Sequence, residues 1–389
     1  MGLKKLISSL VLATGLICTP NIAKAEEIPK RELKLDLQNP VTNFEANSNY
    51  WYSADQIVGK GSDVLYENWK NNLATKGGAF FLDWYATHFF RFLTHELGHV
   101  REGKRYGEFK TGWDGNHWVD FNQNFIKEYQ HEHTDEQFFQ AAISGLNQDE
   151  HNSYMTFKNN LDRLSVHDAF CFLSNKWYDV DYIMTGPPAE EGGDPANYIE
   201  RLNDKGINLE LRDYFLQAIV ADTLSLQTWD SLEVIGDYLA FGATSKKPFM
   251  FRLGRTLFTP PLINHYLTTK GSFYNITSII NPNNSQSTEL SFATPVNFIG
   301  DGKVDKYRLG GQLNNIPVGK YQFSPFYYVT TNTKFNHEGY SAGFELKKQL
   351  NKSVDFRVKL EHNDKDLLEN SVKGEREGFN VVLGFDIKF

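Results

Sequence analysis

Phe379-Asn380-Val381-Val382-Leu383-Gly384-Phe385-Asp386-Ile387-Lys388-Phe389 places an apolar side chain at every odd position and, Val382 apart, a polar or small one at every even position. A period of two is the signature of a β-strand with one apolar face. The same alternation recurs upstream. Val354, Phe356, Val358 and Leu360 alternate with Asp355, Arg357, Lys359 and Glu361. Tyr340, Ala342, Phe344 and Leu346 alternate with Ser341, Gly343, Glu345 and Lys347, and Tyr307, Leu309, Gly311 and Leu313 with Lys306, Arg308, Gly310 and Gln312. Working outward gives eight strands, near 262–268, 272–280, 286–294, 304–313, 318–330, 338–348, 353–362 and 377–389. Turn-rich spacers such as Asn281–Ser285 and Gly300–Gly302 separate most of them.

Before Gly242 the period is helical. Helices are predicted over 62–72, 78–102, 134–157, 160–178, 197–203 and 209–239, with a Gly- and Pro-rich loop over 185–195. The fold class is therefore α+β. A mainly helical domain (49–245) precedes an antiparallel, eight-stranded β-barrel domain (246–389).

The strict separation of apolar and charged faces, with an aromatic at Phe389, resembles Gram-negative outer-membrane β-barrels. The resemblance covers about 130 residues. It implies outer-membrane lipid as a partner and a narrow, side-chain-filled interior that anchors rather than conducts. An even strand count would leave the helical domain on the periplasmic side. A load of 30 Phe, 19 Tyr and 7 Trp suits aromatic belts or a large core. The soluble alternative is a β-sandwich or a lipocalin-like barrel.

The N-terminus agrees with export. Lys4 and Lys5 precede an apolar run from Leu6 to Cys18, and Ala23-Lys24-Ala25 is a cleavage site, so 1–25 reads as a signal peptide. Cys18 lacks the preceding small residue of a lipidation site. Residues 26–48 read as a charged tether. Removing three lysines and no acids leaves 37 Lys and Arg against 48 Asp and Glu, a net charge of −11, which argues against nucleic acid as a partner. The one cysteine left, Cys171, has no intrachain disulfide partner and reads as a small buried hydrophobe.

The chemistry-bearing stretch is Phe92-Leu93-Thr94-His95-Glu96-Leu97-Gly98-His99-Val100. Its H-E-x-x-H puts His95 and His99 one helical turn apart on one face, where both imidazoles reach one ion, with Glu96 beside them to take a proton. Phe90, Leu93, Leu97 and Val100 form an apolar stripe expected to face the core. These residues resemble the zincin metallopeptidases, which implies a Zn²⁺ cofactor, Glu96 as general base and a peptide or protein substrate. Val100–Gly107 also resembles the helix end of site-2-protease-type enzymes. The metzincin pattern is absent, because position 105 is Arg.

A catalytic zinc needs a third protein ligand. His88 lies seven residues before His95, a rise of about 10 Å, too far for the same ion. Glu150, on the stripe Glu136, Phe139, Ile143, Leu146, Glu150, and Asp222, in the most apolar context of any acid, are the candidates, with Glu136 behind them. His131, His133 and His151 are further possibilities. Glu190, Glu191 and Asp194 could bind a cation but read as a solvated loop. Two functions follow as expectations. One is an outer-membrane-anchored zinc metallopeptidase acting on the periplasmic side. The other is a non-enzymatic outer-membrane protein whose helical domain is structural or binding.

Overall fold

A computed structural model describes residues 31–37, 44–106, 134–185, 193–282, 286–297, 299–300, 302–368 and 377–389. The chain opens with strand β1 (Glu32–Asp36). Helices α1 (Phe44–Trp69), α2 (Leu73–Tyr106) and α3 (Asp135–Asn159) follow. After a short β2 (Leu164–Ser165) come α4 (Val166–Lys176), α5 (Tyr178–Thr185), α6 (Asp194–Asp204), α7 (Leu211–Leu224) and α8 (Leu226–Phe241). No described helix is long and apolar enough to cross a membrane.

The remainder is strand: β3 (Ser245–Lys246), β4 (Phe251–Leu253), β5 (Thr256–Phe258), β6 (Leu262–Thr268), β7 (Gly271–Ile280), β8 (Ser287–Pro295) and β9 (Lys306–Asn314). Then come β10 (Ile316–Val318), β11 (Tyr321–Asn332), β12 (His337–Asn351), β13 (Val354–Asp364) and β14 (Gly378–Lys388). All eight strands expected from alternation are present, within a few residues at each end. Four short strands, β1, β4, β5 and β10, join them in one antiparallel sheet of 12 strands; β2 and β3 pair separately.

The sheet is not the closed eight-stranded barrel expected. Its order is β1-β14-β13-β12-β11-β9-β8-β7-β5-β4, with β6 also on β7, and among the described residues the two ends do not pair with each other. Helices stand where a closing strand pair would be. Ser53 of α1 bonds both main-chain groups of Lys34 on β1, accepting from N at 2.6 Å and donating to O at 2.8 Å. Asn147 of α3 does the same to Leu267 on β6, at 2.8 and 3.0 Å. Asn47 and Ser48 of α1 in turn bond Gln148 of α3, at 3.1 and 2.9 Å. The free edges of β1 and β6 are thus met by polar side chains on two helices that hold each other, which satisfies part of each edge and covers it.

Residues 32–36, expected to belong to a tether, form β1 because Leu33 and Leu35 alternate with Glu32, Lys34 and Asp36 and pair in register with Lys388 to Gly384. The faces of the sheet are also informative. Glu289, Ser291, Arg308, Thr330, Arg357, Glu361 and Asp386 are buried, while Leu290, Phe292, Leu309, Tyr327, Phe379 and Val381 are exposed. The polar face lines a cavity of about 360 Å³ with Tyr154 and Lys158 of α3 on its wall. Charges there are paired, as buried charges must be. Arg308 meets Asp366 at 2.9 Å, Lys347 meets Asp386 at 2.7 Å, and Lys158 reaches Glu289 at 2.7 Å.

Candidate metal centre

The motif helix α2 runs 34 residues, about 50 Å at 1.5 Å each. The face it turns inward is not the leucine stripe expected from the sequence. Of that stripe Val100 is buried but Phe90, Leu93 and Leu97 are half-buried, whereas Arg91, Thr94, His95, Gly98 and His99 are all buried. The reason lies across the contact. Helix α3 begins with a capping box, Thr134 with Gln137, and is buried without interruption from Phe139 to Ser153. Its apolar residues Phe139, Ile143 and Leu146 enter a core with Tyr198, Leu202 and Tyr214. Its polar face is left for α2.

Two glycines set how closely these helices approach. A Cβ on Gly98 would lie 2.8 Å from the Ser144 carbonyl oxygen and 3.1 Å from the Gly145 Cα. A Cβ on Gly145 would lie 2.5 Å from His99 Nε2 and 2.7 Å from His95 Nε2. The imidazoles therefore lie directly over the bare backbone of α3, around a point that any larger residue would fill.

Three donors converge on that point. His95 Nε2 lies 2.8 Å from Asp194 Oδ2, His99 Nε2 lies 3.1 Å from the same oxygen, and the two Nε2 atoms are 3.1 Å apart. All three residues are buried. The other ring nitrogens face outward to anchors. His95 Nδ1 is 2.8 Å from Asp149 Oδ2, and His99 Nδ1 is 2.8 Å from the Ala141 carbonyl oxygen. A carboxylate and a carbonyl on Nδ1 are the partners that direct Nε2 toward a metal. Tetrahedral donors about 2.0–2.1 Å from zinc stand roughly 3.3 Å apart, close to the separations found here. Two imidazoles, one carboxylate and a space without a Cβ fit a divalent ion.

The electrostatics agree with a cation site. Burial alone would strip the proton from His95, but Asp149 and Asp194 outweigh it and hold its pKa up at about 10. His99 is raised against burial chiefly by Asp194. Burial would raise Asp194, yet the two histidines hold it well below the usual carboxylate range. Glu96 is buried, and its charge acts on both His99 and Tyr182. The Tyr178 and Tyr182 rings pack against His95 at 5.0 and 6.2 Å, and Arg91 stacks on Tyr178 at 4.0 Å.

The acids favoured from sequence do not join this cluster. Glu150 follows Asp149 by one residue, so it points about 100° around α3 from it. There Lys176 of α4 reaches both its carboxylate oxygens at 2.9 and 2.8 Å, and Asn264 donates at 2.7 Å. Asp222 joins the same lysine at 3.4 Å. Each buried carboxylate has found a partner, but the partner is an ammonium. Glu136 is exposed and accepts from Thr269. His88 stacks on Trp84 at 5.3 Å, and His151 packs near Tyr154 at 5.6 Å beside the sheet cavity. His131, His133, Glu190 and Glu191 lie outside the described residues.

Asp194, read as part of a solvated loop, is instead buried at the start of α6, with Gly193 as N-cap and a proline in the first turn. A carboxylate there sits favourably on the helix dipole, and the Gly-Asp-Pro run is a helix-start signal. Nothing in that signal links it to a motif 99 residues away. No family model, no curated protein and no solved structure matches this chain.

Proposed function

We propose that the protein is a zinc-dependent hydrolase of the metallopeptidase type, anchored in an outer membrane by its sheet, with His95, His99 and Asp194 as ligands and Glu96 as general base. The carrying observation is the meeting of His95 Nε2, His99 Nε2 and Asp194 Oδ2 within 3.1 Å of one another, with both Nδ1 atoms anchored behind. A zinc ion held there would supply a Lewis acid that polarises a carbonyl and acidifies water. Three protein ligands leave a fourth position open, as catalytic sites do.

The chain's own groups have distinct tasks. Glu96 accepts the proton of the attacking water and returns it to the leaving amine. Asp149 fixes the ring of His95 and supports its basicity. The Tyr182 hydroxyl, 3.4 Å from the Asp194 amide nitrogen, lies beside the carboxylate ligand. The anchor is supported by the inversion of the sheet, apolar outward and charged inward, which suits lipid outside and a polar interior. With the signal-peptide pattern of the N-terminal sequence, this favours a helical region on the periplasmic side and a peptide or protein substrate.

The test is Glu96→Gln. Zinc content should be retained while hydrolysis of a mixed peptide library falls by at least about 10²-fold, the usual worth of a general base. Full activity in that variant would refute the assignment. A second reading, a structural ion in a non-enzymatic outer-membrane protein, is favoured by the burial of all three ligands, each 3% exposed or less. In that case zinc binds but neither wild type nor variant hydrolyses any peptide in the library.

A further inference from the structure

A second convergence of metal-binding side chains lies on other helices. Asp55 is on α1, and His167 and Cys171 stand one turn apart on α4. Asp55 Oδ1 is 3.1 Å from His167 Nε2 and 2.6 Å from Cys171 Sγ, and Sγ is 3.5 Å from Nε2. His167 and Cys171 are fully buried and Asp55 is 3% exposed.

The surroundings repeat the pattern around His95. His167 Nδ1 is 2.6 Å from Asp83 Oδ1, so its Nε2 is directed at the other two donors. Asp83 is itself held by Ser62 at 2.6 Å and Tyr66 at 2.7 Å. Gly59, one turn after Asp55, lets α1 close on this ring, since a Cβ there would lie 2.5 Å from His167 Cδ2.

A cysteine that merely filled a core would touch hydrocarbon. Cys171 instead faces a carboxylate and an imidazole, its Sγ 2.6 Å from Asp55 Oδ1 and 3.5 Å from His167 Nε2. A nucleophile is equally unsuited, because burial leaves the thiol out of reach of any substrate.

We propose that Asp55, His167 and Cys171 bind a second divalent transition-metal ion of the zinc class, in a buried structural site that pins α1 to α4. Thiolate and imidazole together select zinc-like ions over magnesium or calcium. Thr87 Oγ1 on α2 lies 3.7 Å from Sγ. The site does not depend on the reading of His95 and His99, which contains no sulfur.

That difference supplies the test. The full chain carrying Cys18→Ser, so that Cys171 is the one thiol left, is refolded in detergent with excess Co²⁺ and freed of unbound ion. Two equivalents are expected, with a sulfur-to-cobalt charge-transfer band of one-site intensity. The band should persist in His95→Ala/His99→Ala, where one equivalent is lost, and disappear in Cys171→Ser together with the other equivalent. Folded protein that binds Co²⁺ without the band, or binds none, would overturn the proposal without recourse to a Cys171 variant. A band that survives Cys171→Ser would overturn it too. One equivalent with the band leaves this site standing and removes the His95 site; one equivalent without it does the reverse.

Discussion

Gly145→Ala is the sharpest test of the His95 site. The new Cβ would lie 2.5 Å from His99 Nε2 and 2.7 Å from His95 Nε2, where ordinary contact begins at 3.4 Å. The imidazoles must withdraw by roughly 0.9 and 0.7 Å, whereas a metal site tolerates about 0.2 Å in its ligand distances. Loss of a supporting partner behind a ligand already costs about 10–100-fold in affinity, so displacing two direct ligands should cost at least about 10²-fold. The metal-free fold has less at stake. Alanine in a helix interior gains about 0.5–1 kcal/mol over glycine, which offsets part of the strain on the two rings. Metal-free stability should therefore change by no more than about 2 kcal/mol, within the ordinary range for a single substitution. Competition titration against a chromophoric chelator reads the first quantity, and melting of the chelated protein reads the second. Wild-type affinity in Gly145→Ala would refute the reasoning, since no ion could then sit between these nitrogens. Gly98→Ala is the contrast. Its Cβ would meet the Ser144 carbonyl oxygen at 2.8 Å, which is backbone and cannot rotate away, so stability and metal affinity should fall together.

Other outcomes follow from the same contacts. Asp194→Asn should abolish stoichiometric zinc at the His95 site, and Asp149→Asn should weaken it about 10–100-fold by loosening the His95 ring, both read by the same titration. Glu150→Ala and Asp222→Ala should leave affinity within a few-fold of wild type, and a large loss in either would return them to the ligand set. Asn147→Ala should destabilise the protein by about 2 kcal/mol or more in denaturant unfolding, because it strips the edge amide and carbonyl of Leu267 of their partner. Burial lifts the pKa of Glu150 from 4.5 to about 7 against the pull of Lys176. The folded state then binds this proton more tightly than the unfolded chain, so stability falls as pH rises between 4.5 and about 7 and levels off above. Glu150→Gln removes that slope, and a melting-temperature difference from wild type that stays constant across the interval would refute it.

The β half was legible because alternation is local: Val354 to Glu361 declares both faces of β13 without reference to any other strand. What covers the edges of the sheet was not legible. Ser53 and Asn147 act through main-chain bonds to Lys34 and Leu267, which leave no trace in composition. The site shows the same division. His95, Glu96 and His99 are fixed by helical spacing, while the third donor comes from a helix start far along the chain. Reasoning that a buried carboxylate needs a partner led to Glu150 and Asp222, and both do have one. The lysine that serves them, Lys176, stands near the end of the helix predicted over 160–178. Likewise the leucine stripe on α2 suggested its buried face, but Gly98 and Gly145 bring the polar faces together instead. Cys171 read as filler because nothing near it in sequence announces Asp55 or Asp83.

The pairing of β1 with β14 carries a consequence for how the molecule assembles. Glu32 lies opposite Lys388, so one edge of the sheet is built from strands near opposite ends of the numbering. Such contacts pay their loop-closure entropy before they return any stability, which slows folding. A chain delivered N-terminus first cannot seat β1 until β14 has arrived, and until then Lys34 has neither its strand partner nor a sheet to belong to. The α3 contact with β6 needs only strands that precede β14 in the chain, so this topology leaves the β1 edge as the last part of the sheet to form.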